Sequence, residues 1–354
     1  MVRRLIAPAA YVQGRDVLDD PATYAPLTGS RAFVLGGETA LSNAEAAVTN
    51  GLERAGLSVT AVESNVDACT FESIDSLSRT ADGADVVVAV GGGVAIDTGK
   101  GVAEAVGSEL VTVPTVASTD APCSAVAVVY DESGGFDGYV HRERNPEVVA
   151  VDTAVIAAAP ERFLRYGMGD ALATRFEVEA AARSGADSHA GGTATRAARL
   201  LAAESYRNVV EYGETALSAV SRNAVTEAVE IVVEANTLLS GVGFESGGLA
   251  AAHAFGKGFT RAGISQPHGE LVAFGAIAQL LLEDRDQATI SEVVDVCRRL
   301  ALTSPLEELG AADAVETIAR GACADDTTMG NQPQAITPAM AADALRTADE
   351  LLRR

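Results

Sequence analysis

The sequence predicts two architectures in succession: an α/β domain with a doubly wound parallel sheet of the nucleotide-binding kind, then an all-helical domain. Three observations carry this expectation. Over residues 1–156, short β-branched runs alternate with segments whose apolar residues recur three and four apart, the pattern of repeated βαβ units. From Pro160 onward the alternation gives way to long amphipathic stretches rich in Ala, Leu and Glu. One early run, Val86–Val90, opens straight into three consecutive glycines.

In chain order, the expected strands are Ala32–Leu35, Val59–Val62, Val86–Val90, Leu110–Val113, Val126–Tyr130 and Val148–Val151. Between them lie helical patterns at Ala40–Ala55, Ile74–Ala81 and Ala95–Val106. The boundary falls near Ile156–Pro160, dividing 1–156 from 157–354, and a cleft between the halves is the default place for a ligand. Beyond it, helices are expected over Arg162–Ser184, Thr193–Tyr212, Val225–Leu239 and Ile290–Leu300.

Composition narrows the function classes. A chain of 354 residues with 48% hydrophobic content can bury a substantial core. No stretch approaches the roughly 18 uninterrupted apolar residues of a membrane helix, and MVRRLIAPAAYVQGRD meets Gly, Arg and Asp before a signal-peptide core develops. No membrane partner and a cytoplasmic location are therefore expected. Cys69, Cys123, Cys297 and Cys323 are scattered without a CxxC pair, so neither a zinc knuckle nor a disulfide framework is written here. Net charge is −23, with Lys100 and Lys257 the only lysines, which makes nucleic acid a poor partner. A dense carboxylate surface repels itself less in concentrated salt, where the Debye length shrinks to about 3 Å at 1 M, so a halophile's cytosol is expected.

The triple glycine, Gly91-Gly92-Gly93, lets the backbone turn tightly and approach a phosphate, and the N–H groups of a helix starting near Val94 favour negative charge. It is neither GxGxxG nor a Walker A motif, and a tight turn without a ligand would read the same. After strand Ala32–Leu35 comes Gly36-Gly37-Glu38, where dinucleotide folds usually place an acid for the adenosine ribose. Glycine there removes the repulsion that excludes a 2′-phosphate, so NADP is admissible beside NAD; Glu38 is the alternative carboxylate.

Among four histidines, His253 and His268 sit in glycine-rich surroundings, GGLAAAHAFGKG and QPHGELVAFG, and Asp170 follows Gly167-Met168-Gly169 at the expected opening of a helix. One carboxylate and two imidazoles suit Zn²⁺ or Fe²⁺ and leave positions open for a substrate oxygen, as Lewis-acid catalysis requires. Singly, each residue also reads as structural, Asp170 as an N-cap and either histidine as a hydrogen-bonded core residue.

These residues carry a resemblance. PTVASTDAPCSAVAVVY (Pro114–Tyr130), GMGDALATRFE (Gly167–Glu177), EANTLLSGVGFESGGLAAAHA (Glu234–Ala254) and HGELVAFG (His268–Gly275) are similar to characteristic stretches of the zinc-dependent glycerol dehydrogenases of the iron-containing alcohol dehydrogenase superfamily. The resemblance runs from near the N-terminus to the last helices. It implies reversible oxidation of glycerol's secondary hydroxyl to dihydroxyacetone with NAD or NADP, zinc (or iron or manganese) at Asp170, His253 and His268, and a homo-oligomer. It implies further that Asp120 contacts the substrate and that Gly92, Gly93, Val94, Ala95, Ile96, Asp97, Thr115, Val116, Ala117, Ser118, Ser124, Val126 and Tyr130 line the dinucleotide, with Gly37 near its ribose. The family usually has an aspartate at Gly37 and a lysine or serine at Val94, and its stretch between the two histidines is longer. Two related activities stay open: an sn-glycerol-1-phosphate dehydrogenase, which needs cations such as Lys257, Arg261, Arg142 or Arg144 for its dianionic substrate, and a dehydroquinate-synthase-like lyase. A non-catalytic relative is the third.

Overall fold

The computed structural model describes residues 2–132 and 134–354. The strands are β1 Ala10–Gly14, β2 Arg31–Gly36, β3 Ser58–Glu63, β4 Val86–Gly91, β5 Glu109–Pro114, β6 Val126–Tyr130, β7 Phe136–His141 and β8 Val148–Asp152. The helices are α1 Glu38–Arg54, α2 Phe71–Thr80, α3 Gly93–Val106, α4 Thr153–Ala158, α5 Glu161–Ser184, α6 Arg196–Val220, α7 Glu227–Glu234, α8 Ser240–Gly247, α9 Ala251–Arg261, α10 His268–Leu282, α11 Gln287–Arg299, α12 Val315–Ala322 and α13 Pro338–Arg353. None of the described helices is long and apolar enough to cross a membrane.

Every residue of β4 is buried, because helices cover both faces of the sheet; a continuous valine run is what a central parallel strand needs. Val86, Val88 and Val90 pack with Leu41, Val48 and Leu52 of α1. Val87 and Ala89 point the other way, to Ile74 of α2 and Val102 and Ala103 of α3. Each buried Val or Leu contributes about 1.5–3 kcal/mol of transfer free energy, so a one-residue slip of β4 would exchange both faces at once.

The sheet is wholly parallel in the order β1-β8-β5-β4-β2-β3, which is the doubly wound arrangement expected. One strand is placed differently. Val126–Tyr130 leaves the sheet and pairs antiparallel with β7, and the sixth place goes to Ala10–Gly14 at the edge beside β8. The cause is local: β6 turns back through a short connection on Phe136–His141, and α3 holds it through the Val128 N–H, which donates to Asp97 at 3.1 Å.

The chain forms two compact units. The sheet unit comprises Ile6–Phe163 and Ala216–Gly241; the helical unit comprises Leu164–Thr215 and Val242–Arg354, with the segment ending at Leu5. Residues 216–241 join the sheet unit because α7 packs on α4 and β1. Gln13 on β1 donates to Glu230 at 2.7 Å, and Thr153 donates to the same carboxylate at 2.7 Å. The chain therefore passes between units several times, where the sequence reading drew a single boundary near 156.

Candidate active site

In the helical unit, two glycines let α5 and α10 touch backbone to backbone. A Cβ on Gly269 would lie 1.8 Å from the Tyr166 carbonyl oxygen, and one on Gly169 would lie 2.1 Å from that of Gly269. Neither distance tolerates a side chain. These glycines flank Asp170 and His268 in sequence, so the close approach is what brings those two residues together. Asp170 sits in the middle of α5, not at a helix opening as expected, and its buried place there rules out an N-cap role. His268 is the first residue of α10.

Asp170, His253 and His268 offer ligand atoms that all lie within 4.8 Å of one another, the one such group of three among the described residues. Asp170 is fully buried, and His268 Nε2 stands 3.7 Å from its Oδ1. The imidazoles of His253 and His268 are 5.2 Å apart between ring centres. Half of the His268 side chain remains open to solvent, yet the protein packed around it, and then the neighbouring His253, push its pKa down to about 3. It is neutral at physiological pH, as a metal ligand must be. His253 Nδ1 lies 2.5 Å from Glu177 Oε2, which leaves Nε2 as the nitrogen available to a cation. A buried carboxylate with two imidazoles is a donor set that fits one divalent transition ion.

In the sheet unit, the loops following β2, β4 and β5 emerge side by side at the carboxyl edge, because Gly36 pairs with Val90 and Gly91 with Pro114. The strand order reverses between β2 and β4, and ligands of such sheets bind at that reversal. Gly91 has φ +151 and a Cβ there would meet Ala95 at 2.8 Å, so only glycine serves. Gly92 is the N-cap of α3 with no side-chain cap on its first N–H groups, an arrangement that attracts phosphate. The Thr115 N–H donates to the Gly91 carbonyl at 3.1 Å, and a Cβ on Gly92 would lie 3.3 Å from Val116, so the loop after β5 runs beside the glycine turn, where Val94 is 42% exposed. Gly37 caps α1 in extended backbone.

Asp120 belongs to the same unit, on the loop after β5. Its Oδ2 accepts a hydrogen bond from Ser240 at 2.7 Å, and Asn236 donates to the Ala117 carbonyl at 3.0 Å. Asn236 lies in the π turn, Ala235–Leu239, into which α7 widens, and Ser240 opens α8 just after it; Asn236, Thr237 and Ser240 are fully buried. Such turns frequently occur at functional sites.

A family model for iron-containing alcohol dehydrogenases matches residues 8–153. A glycolaldehyde reductase of Halobacterium salinarum is 44% identical over 98% of this chain and 97% of its own. A glycerol dehydrogenase of Pseudomonas putida is 42% identical over 99% of this chain and 98% of its own. The chain belongs to the iron-containing alcohol dehydrogenase family. Among solved structures, a probable glycerol dehydrogenase from Sinorhizobium meliloti superposes with a TM-score of 0.92 at 36% identity, covering 99% of both chains.

Within this alcohol dehydrogenase fold, two buried charges escaped the sequence reading. Lys100 is fully buried on α3, and its Nζ donates to Asp97 Oδ1 at 2.9 Å, Ser124 Oγ at 3.0 Å and the Val126 carbonyl at 2.6 Å. Asp97, Ser124 and Val126, expected at the dinucleotide, thus meet Lys100 and tie β6 to α3. Burial, and then Asp97, push the Tyr130 hydroxyl up to about 12. The second is Glu177. A signal existed for each: Lys100 is one of two lysines in the chain, and Glu177 follows Asp170 by seven residues, two helical turns. Cys123 is fully buried, and burial pushes the Cys297 thiol up to about 12, neither an environment for a nucleophilic thiolate.

Proposed function

We propose that the protein is a metal-dependent, NAD(P)-linked polyol dehydrogenase that interconverts glycerol and dihydroxyacetone. The observation that carries the reading is the Asp170–His253–His268 group, in a chain whose full-length relatives include glycerol dehydrogenases. A divalent ion held by these side chains, with zinc, iron or manganese all compatible with the donors, supplies Lewis acidity toward a hydroxyl or carbonyl oxygen. Asp170 brings one negative charge that offsets half of the ion's, and the two neutral imidazoles add none. The Gly91–Gly93 turn and the α3 N-terminus are assigned to the dinucleotide phosphates, whose nicotinamide carries the hydride. Asp120, oriented by Ser240, is assigned to a substrate hydroxyl.

A second reading has its own support in the 44% identity to a glycolaldehyde reductase. Dihydroxyacetone and glycolaldehyde are both α-hydroxycarbonyl compounds, so one site accommodates either. A phosphorylated substrate is disfavoured by the cations named for it. Lys257 and Arg261 both bind Asp326, at 3.0 and 2.5 Å, Arg142 donates to the Ser108 carbonyl at 3.0 Å, and Arg144 pairs with Glu147 at 2.8 Å.

The deciding experiment measures metal content and kcat/KM for glycerol, dihydroxyacetone and glycolaldehyde with each nicotinamide cofactor in molar salt. Preference for glycerol and dihydroxyacetone, lost on chelation and restored by zinc, is expected. A strong preference for glycolaldehyde selects the second reading, and metal-loaded protein that turns over neither class defeats both. NADH accumulating with glycerol alone excludes the lyase.

A further inference from the structure

Glu177 is fully buried on α5, and a carboxylate in such a place is costly unless its oxygens are satisfied. Its Oε1 accepts the backbone N–H groups of Ala250 and His253, each at 2.9 Å, and its Oε2 faces His253 Nδ1 at 2.5 Å. The two backbone donors are at the N-terminus of α9, whose dipole favours a negative charge and whose N-cap, Ala250, has no side-chain oxygen to offer. In the same turn, Gln279 of α10 accepts the Ala252 N–H at 2.9 Å. The first turn of α9 is therefore fixed by side chains from α5 and α10, the two helices that carry Asp170 and His268.

We infer that Glu177 is a positioning residue that selects the Nδ1–H tautomer of His253 and so keeps its Nε2 lone pair turned toward the cation. A carboxylate only accepts, so the nitrogen facing it must carry the hydrogen. The other nitrogen is then unprotonated, the form a metal requires. Asp170 and Glu177, seven residues apart, occupy one face of α5, so a single helix supplies one ligand and orients the next. The inference rests on the proposed metal site. Its rival is that Glu177 serves only to cap α9.

Glu177→Gln separates the two roles. The amide oxygen can keep the backbone hydrogen bonds, while the amide NH₂, placed where Oε2 was, donates to Nδ1 and favours the Nε2–H tautomer. The experiment takes the full-length protein in apo form, measures zinc affinity by competition with a chromophoric chelator, and reads the His253 tautomer by ¹⁵N NMR. Wild type is expected to bind one zinc and to show Nδ1–H. E177Q is expected to keep its melting temperature and lose about 10- to 100-fold in zinc affinity, with the tautomer reversed. Equal zinc affinity in the two proteins overturns the inference while leaving the metal site standing. Wild-type protein that takes up no zinc removes the site itself. Should E177Q fail to fold, the wild-type spectrum decides alone, an Nε2–H His253 overturning the inference.

Discussion

At the scale of single residues, the site is governed by which side chains are absent as much as by which are present. Gly37 has ordinary extended φ, and a Cβ there would come no closer than 3.7 Å to its neighbours, so neither backbone nor packing demands glycine. Gly37→Asp is therefore expected to fold normally and to raise KM for NADP at least tenfold with little change for NAD; equal effects on both cofactors would place the adenosine ribose elsewhere. Lys100 makes the opposite case. Lys100→Met leaves Asp97 buried without its cation and is expected to cost about 3–5 kcal/mol in chemical denaturation, most of it recovered in Lys100→Met/Asp97→Asn. A single variant as stable as wild type would show the ion pair to be dispensable. The three side chains that the structure brings within 4.8 Å of one another stand out in sequence through the glycines that crowd the two histidines and through the family resemblance of their segments. Glu177 does not, because its meaning lies in a contact to His253, 76 residues away.

The elements show where pattern reading succeeds. Strands buried on both faces, β2, β4, β5 and β8, announce themselves as continuous apolar runs, and the structure places all four in the sheet. Ala10–Gly14 escaped notice because it is a half-buried edge strand carrying Gln and Gly. Val126–Tyr130 is a strand, as its β-branched run predicts, but it lies outside the main sheet, since such a run does not specify its partner. The π turn at Ala235–Leu239 was subsumed in an expected helix because an inserted residue leaves the apolar spacing nearly unchanged. The α5–α10 contact gives an element-scale prediction. Gly269→Ala must push the helices apart, so a loss of at least about 1–3 kcal/mol in stability is expected together with weakened zinc binding. Thermal melting with and without zinc measures both, and an alanine variant with unaltered zinc affinity would show that the helix spacing does not set the site.

For the whole molecule, a net charge of −23 dominates behaviour in solution. Self-repulsion among surface carboxylates opposes the compact state at low ionic strength and is screened in molar salt. The melting temperature is expected to rise by several degrees between dilute buffer and molar potassium chloride. A flat or falling profile would mean that the acidic surface serves some other end.

All three proposed metal ligands, and the carboxylate that orients one of them, come from the helical unit, whereas the glycine turns and Gly37 come from the sheet unit. Under the proposed assignment, coenzyme preference and choice of ion are written in separate stretches of the chain. Evolution, or an engineer, can revise either one without rewriting the other.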